Sequence, residues 1–155
     1  MAAAEEQSPL TAPLVLEYPY TRTVGDVLGR WFTGLRDRRL EGIRAADGRV
    51  LVPPQEYDPV TSETLAEWAE VGTSGEVLTW TWVPVPLEGN PLERPFAWAL
   101  IRLDGADSGL LHAVDAGTSA AMSSGMRVRA RWRPETEGSI RDIECFEPEP
   151  AGAEA

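Results

Sequence analysis

Imidazole and thiol are the side chains that most often move protons or attack carbonyls near neutral pH. This chain of 155 residues has one histidine, His112, and one cysteine, Cys145. A nucleophile needs a base within hydrogen-bond reach, oriented by a third group. Asp115 follows His112 closely, but no Gly-x-Ser-x-Gly elbow, GxGxxG or other Gly-rich phosphate loop occurs anywhere in the chain. All 14 basic residues are arginine, so a lysine base or Schiff base is excluded. His112 and Cys145 therefore read as residues packed within short strands, and no catalytic residue is expected.

Metal chemistry would have to come from residues 42–61, GIRAADGRVLVPPQEYDPVT. This is the outline of a zinc ribbon, two knuckles around a short hairpin. The places where thiolates would sit hold Arg44, Asp47, Asp58 and Thr61, whereas a structural zinc site needs four Cys or His ligands. Asp47, Glu56 and Asp58 are hard ligands, but their spacing does not match a calcium loop. No metal is expected, and the loop is read as kept for its shape. Pro53–Pro54 and Asp58–Pro59 restrict the backbone directly and supply part of the rigidity a metal would give.

What remains is recognition chemistry. Arg127, Arg129, Arg131 and Arg133 alternate with Met126, Val128, Ala130 and Trp132, which places four guanidiniums on one strand face. Such a row is either a solvated outer face or an anion surface, because like charges in a row repel until counter-charge relieves them. Arg127 and Arg129 are the candidates for an anion contact. Leu78, Trp80 and Trp82 share one face of a second strand, opposite Val77 and Val83. That face needs a cover, either from the chain's own helix or from another protein.

The overall balance limits the partners. The formal net charge is −11, which disfavours a polyphosphate backbone. No apolar run approaches a membrane span of about 20 residues. A start without a signal pattern and a single cysteine suit a cytoplasmic protein.

The elements that must position these residues follow from periodicity. Val24, Val27, Leu28, Trp31, Phe32 and Leu35 form one helical stripe, opened by Thr23 and Asp26 in capping-box spacing and stopped at Gly42. Strands are predicted at 65–71, 76–83, 95–104, 110–114, 126–133 and 139–146, with an Ala/Ser/Gly connection over 116–125 leading into the arginine strand. Five or six short strands predict a small barrel or sandwich.

In order and spacing these pieces resemble one family. The segments GLRDRRLEG, GRVLVPPQEYDP, GEVLTWTWV, PFAWALIRLD and GMRVRARW are similar to those of proteins joining an N-terminal helix, a rubredoxin-like ribbon and a C-terminal OB-fold, known as domain of unknown function thirty-five. The resemblance runs from about Tyr18 to Phe146 and departs from the family in lacking all four cysteines. It implies a mainly β fold with these parts: an extension over 1–22, an amphipathic helix over 23–41, a degenerate metal-free ribbon over 42–72, an OB-fold barrel over 73–146 and a disordered acidic tail over 147–155. It also implies a non-catalytic accessory subunit of a thiolase-superfamily enzyme, a thiolase or an aldolase, in lipid or steroid breakdown. The expected partner is a lipid-transfer-type protein in a hetero-oligomer, with no nucleic acid and no membrane. Acyl-CoA would be contacted only at the partner's site, and no cofactor would be held. Trp31, Phe32, Leu35 and Tyr57 would face the partner, and Arg127 and Arg129 the nucleotide end of CoA. A single-stranded nucleic-acid-binding OB-fold, using Trp80, Trp82 and the arginine strand, is the alternative.

Overall fold

The computed structural model describes residues 12–19 and 23–150. Residues 12–19 have no regular structure; the rest of the predicted extension and residues 151–155 of the predicted tail lie outside the described residues.

The helical stripe forms α1, Gly25–Arg36. Only its C-terminal half is sealed: Trp31 and Leu35 are buried, while Val24 and Leu28 are exposed. The predicted capping box is not there, because the N-cap is Val24 with no side-chain cap. Nor is Gly42 the stop. The helix ends at Arg36 and turns through Arg38 at φ 57. The hydroxyl of Thr136 donates to the Arg36 carbonyl at 2.7 Å, satisfying one of the orphan carbonyls of the last turn. Gly42 lies in β1, Leu40–Arg44, where a Cβ would stand 2.9 Å from the Leu51 carbonyl oxygen. A side chain there would push β1 off its partner.

β1 is the centre of a three-stranded antiparallel sheet, with β2 (Val50–Leu51) on one side and β3 (Trp68–Val71) on the other. Ile43, Ala45, Leu51 and Leu65 make a small core beneath it. The edge of β2 is not left open. Val50 N–H donates to Asp107 Oδ2 at 2.8 Å and Val52 N–H to Ser108 Oγ at 2.6 Å, tying the ribbon sheet to the barrel.

The barrel is closed in the order β4–β5–β6–β8–β7. Its strands are β4 (Ser74–Val83), β5 (Phe96–Leu103), β6 (Gly109–Val114), β7 (Arg127–Trp132) and β8 (Ile143–Pro148). Closure removes the free edges that an open sheet would expose. The fold is thus the mainly β OB-like barrel, with one helix before it, that the sequence predicts. Three local expectations change. Residues 140–142, predicted as strand, form a 3₁₀ turn with a capping box of Ser139 and Asp142. The acidic tail is ordered as far as it is described, with Glu147 and Pro148 inside β8. A bulge between Val77 and Thr79 shifts the phase of β4, so Val77, Trp80 and Trp82 all pack on the main core while Leu78, Thr79 and Thr81 are exposed. That core also takes Trp31 and Leu35 from α1 and Leu40 and Val52 from the ribbon sheet. Helix, sheet and barrel share one interior.

Candidate functional site

The four residues expected to face a partner separate into two pairs. Trp31 and Leu35, at 3% and 0% exposure, are enclosed by the chain's own core. They correct the expectation: the helix stripe is covered by the barrel of the same molecule, so these side chains are not on a surface. Phe32 is half-buried against the same core, and Tyr57 is 55% exposed. Beside Tyr57 lies Val60, and the start of α1 meets the second knuckle loop in a shallow hollow lined by Val24, Leu28 and Pro54. Val24, Leu28, Tyr57 and Val60 are all exposed large apolar residues, as are Leu14, Val15, Leu16 and Tyr18 of the N-terminal arm. Exposed apolar residues at the start of α1 and on the loop it meets mark a candidate contact surface.

The second knuckle loop carries this surface and has its own fastening. Asp58, 4% exposed, accepts from Ala46 N–H of the first knuckle at 2.9 Å and from Val60 and Thr61 N–H of the second at 2.8 Å each. These backbone donors, with Thr61 foremost, hold the carboxylate well below its ordinary pKa. One carboxylate thus joins the two loops that a metal would join in a zinc ribbon. Among the described residues no group of three or more His, Cys, Asp or Glu is placed to hold a metal. Asp58 was visible in the sequence only as a poor metal ligand; its use as an acceptor for two loops depends on their folding together.

Next to the knuckles sits a charged stack. Glu41, 3% exposed, binds Arg30 at 2.5 Å and Arg39 at 3.2 Å, and Arg30 lies over the Trp68 ring at 4.2 Å. The hydrogen bond from Arg30 keeps the Glu41 carboxyl below its usual range.

The arginine strand is not the free cationic row expected. Arg127 makes a two-pronged pair with Asp104, 2.6 Å for each contact, and reaches Glu149 at 3.1 Å. Arg129 binds Glu147 at 2.7 Å. Arg131 reaches Glu144 at 2.9 Å, Glu147 at 3.1 Å and Asp115 at 3.3 Å. The cause is register. β7 and β8 pair antiparallel with Arg129 opposite Glu147, so the acids of the predicted tail lie against the bases of the strip. Directly opposed unlike charges are favourable cross-strand pairs. The anion surface expected at Arg127 and Arg129 is therefore already neutralised within the chain.

Neither His112 nor Cys145 is set for chemistry. Cys145 is fully buried in β8, and burial pushes its thiol up to about 12. His112 is 6% exposed, its ring edge-on to Phe146, and burial lowers its pKa so that it is neutral at pH 7.

Comparison with known proteins gives the same architecture. Residues 68–133 match the family model described as the ChsH2 C-terminal OB-fold domain, from β3 through β7. In fold the chain is similar to a solved chain of a Ltp2-ChsH2(DUF35) aldolase. The two are 21% identical with a TM-score of 0.59, and the match covers 83% of this chain and 98% of that one. It is also similar to a protein of unknown function from the DUF35 family of Sulfolobus solfataricus. There the identity is 22% and the TM-score 0.58, over 81% of this chain and 85% of the other. No curated protein matches the sequence.

Proposed function

We propose that this chain, whose residues 68–133 match the ChsH2 C-terminal OB-fold model, is a non-catalytic accessory subunit of a thiolase-superfamily acyl-CoA enzyme. The partner would be a lipid-transfer-type thiolase or aldolase of lipid or steroid catabolism. The observation that carries this reading is the extent of the likeness to the Ltp2-ChsH2(DUF35) aldolase chain. It spans 98% of that chain, so helix, ribbon sheet and barrel are matched together rather than the barrel alone. The aldolase complex named there is a property of that protein, and its transfer to this one is the proposal.

The docking contacts in this reading are the exposed apolar residues of the helix start and the adjoining second knuckle loop, Val24, Leu28, Tyr57 and Val60, together with the half-buried Phe32. Trp31 and Leu35 contribute by fixing that helix. Arg127 and Arg129 drop out as CoA contacts, since a phosphate there would have to displace Asp104, Glu149 and Glu147. The nucleic-acid alternative loses its basic groove for the same reason.

Co-expression with a lipid-transfer-type thiolase or aldolase tests the proposal. The expected result is co-elution at fixed stoichiometry and a partner that is more soluble or more active than alone. Leu28→Asp with Tyr57→Asp, both at exposed positions, should abolish co-elution without changing the Tm of the isolated chain. Separate elution of both proteins, with partner solubility and activity unchanged, would overturn it.

A further inference from the structure

The barrel closes through a parallel seam. β6 and β8 run parallel and share one rung, Val114 with Phe146. No other rung joins them, and the 3₁₀ turn Ile140–Asp142 stands near the opening, with His112 Nε2 3.4 Å from the Ile140 carbonyl oxygen. A pocket of about 360 Å³ remains there, within the size range of small-ligand sites. Its walls include Trp98, Leu111, Ile140 and Ile143. Leu111 is 62% exposed and Ile140 38%, so the apolar wall is open to solvent rather than packed.

His112 forms part of the same wall. The charge of the lining points to a ligand. Arg127, Arg129 and Arg131 are neutralised by carboxylates, whereas among the described residues neither Arg133 nor Arg141 makes an ion pair, and both line this pocket. Glu144, also in the lining, is bound to Arg131, and Asp142 uses its oxygens on the N–H groups of Glu137, Gly138 and Ser139. Arg133 feels the charge of Asp142, and Glu135 and Glu137 line the adjoining hollow. Among the described residues, however, neither Arg133 nor Arg141 is fixed by a carboxylate contact, so two guanidiniums at the mouth of an apolar pocket are available to an anion joined to an apolar body.

We propose that the β6–β8 seam binds a small amphiphile, with an aliphatic or ring body against Trp98, Leu111 and Ile140 and a single carboxylate or phosphate on Arg133 and Arg141. Arginine's planar fork suits either head group. The site is built from this chain alone, so it stands apart from the proposed partner and can hold or fail independently of it.

The test uses the full isolated chain. Decanoate and decyl phosphate are titrated by calorimetry with tryptophan fluorescence alongside, and 1-decanol and acetate serve as tail-only and head-only controls. The two anionic probes separate the head groups. Saturable one-to-one binding of at least one of them is expected, with both controls weaker by about tenfold or more. Arg133→Gln with Arg141→Gln should weaken the anionic probe by about tenfold while leaving decanol unchanged. Leu111→Asp should remove binding of every probe. These positions are exposed, and an unchanged Tm shows that the variants fold. Absence of saturable binding by both anionic probes, or binding undiminished in the double arginine variant or in Leu111→Asp, would overturn the proposal.

Discussion

The ribbon sheet and the barrel are held together by different physics. The knuckles rest on a small apolar cluster of Ile43, Ala45, Leu51 and Leu65, and their loops are joined by the carboxylate of Asp58. The barrel rests on a larger core reaching from Val77 to Phe146, and its ion pairs lie outside, between exposed faces of β7 and β8. In the first region a buried charge does the joining; in the second, charge decorates a structure that apolar contact has already closed. Equal numbers of carboxylates are therefore not equal in effect. A charge fixed by backbone N–H donors specifies a loop shape, whereas an exposed pair adds little to stability.

The largest effect should follow from opening the barrel core. Phe146 is fully buried and packs with Val114 and residues of α1 and the ribbon sheet in one cluster. Phe146→Ala should cost about 3–5 kcal/mol in denaturant unfolding. Because the core is shared, ribbon and barrel should unfold in a single transition. Two separated transitions in the wild-type chain would break this part of the comparison.

Asp142 ranks next, and it belongs to the barrel while behaving like Asp58. It is 1% exposed, and burial pushes its pKa up. The N–H bonds from Glu137, Ser139 and Gly138 outweigh that push and leave it below the ordinary value. Asp142→Ala leaves those donors unpaired and should cost about 1–3 kcal/mol by thermal or chemical melting. It should also loosen the turn that supplies Ile140 and Arg141 to the seam pocket.

How far these differences could be read beforehand depends on whether a signal is local. The strands β5, β6 and β7 were legible because alternation and β-branching are properties of a few adjacent residues. The helix stripe was legible too, but not its cover; whether Trp31 meets the chain's own barrel or another protein is a long-range fact. The bulge at Leu78 carries no mark in EVLTWTWV and reverses the face assigned to Trp80 and Trp82. Ser139-x-x-Asp142 was a readable signal, the spacing of a capping box, but it was hidden by reading SIRDIECF as one strand. The pairing of Arg129 with Glu147 needed the β7–β8 register, which composition does not contain. Of the candidate surface, Tyr57 was identified from sequence, while Val24 and Leu28 are left exposed because the helix packs with its C-terminal half, and Val60 because it stands on the knuckle loop.

Acid should separate the two regions further. The folded pKa of Asp58 is depressed, so its contribution is complete above the unfolded carboxylate value near about 3.9 and is lost as pH falls through the lower folded value. Exchange of the Ala46, Val60 and Thr61 amides, followed by hydrogen–deuterium exchange, should accelerate in that window before the barrel amides do. Asp58→Asn, which keeps the shape but weakens the acceptor, should show the same acceleration already at pH 7. Barrel amides exchanging first on acidification would reverse the assignment of roles.

His112 adds a milder dependence at higher pH. Its folded pKa lies below its ordinary value near about 6.5 because burial disfavours the charged ring. Its neutral form therefore supports folding above that value, and stability should decline as pH falls from about 6.5 towards 5, where carboxylates are still ionised. Replacement by Gln, which cannot titrate, should flatten this stretch of the profile whatever it does to absolute stability.

The smallest effect is expected on the exposed side of the barrel. Arg129 is half exposed, and Glu147 opposite it is shared with Arg131. Holding two long side chains in one geometry costs rotamer entropy, and salt screens what attraction remains. Arg129→Gln should therefore change unfolding free energy by less than about 1 kcal/mol, and the difference from wild type should shrink further in 1 M salt. Glu147→Gln should matter more, because it removes a counter-charge from Arg129 and Arg131 at once and leaves Arg131 to Glu144 and Asp115. If Arg129→Gln instead costs as much as Asp142→Ala, the row of arginines is a structural element of the barrel, and the division between joining and decorating charges fails there.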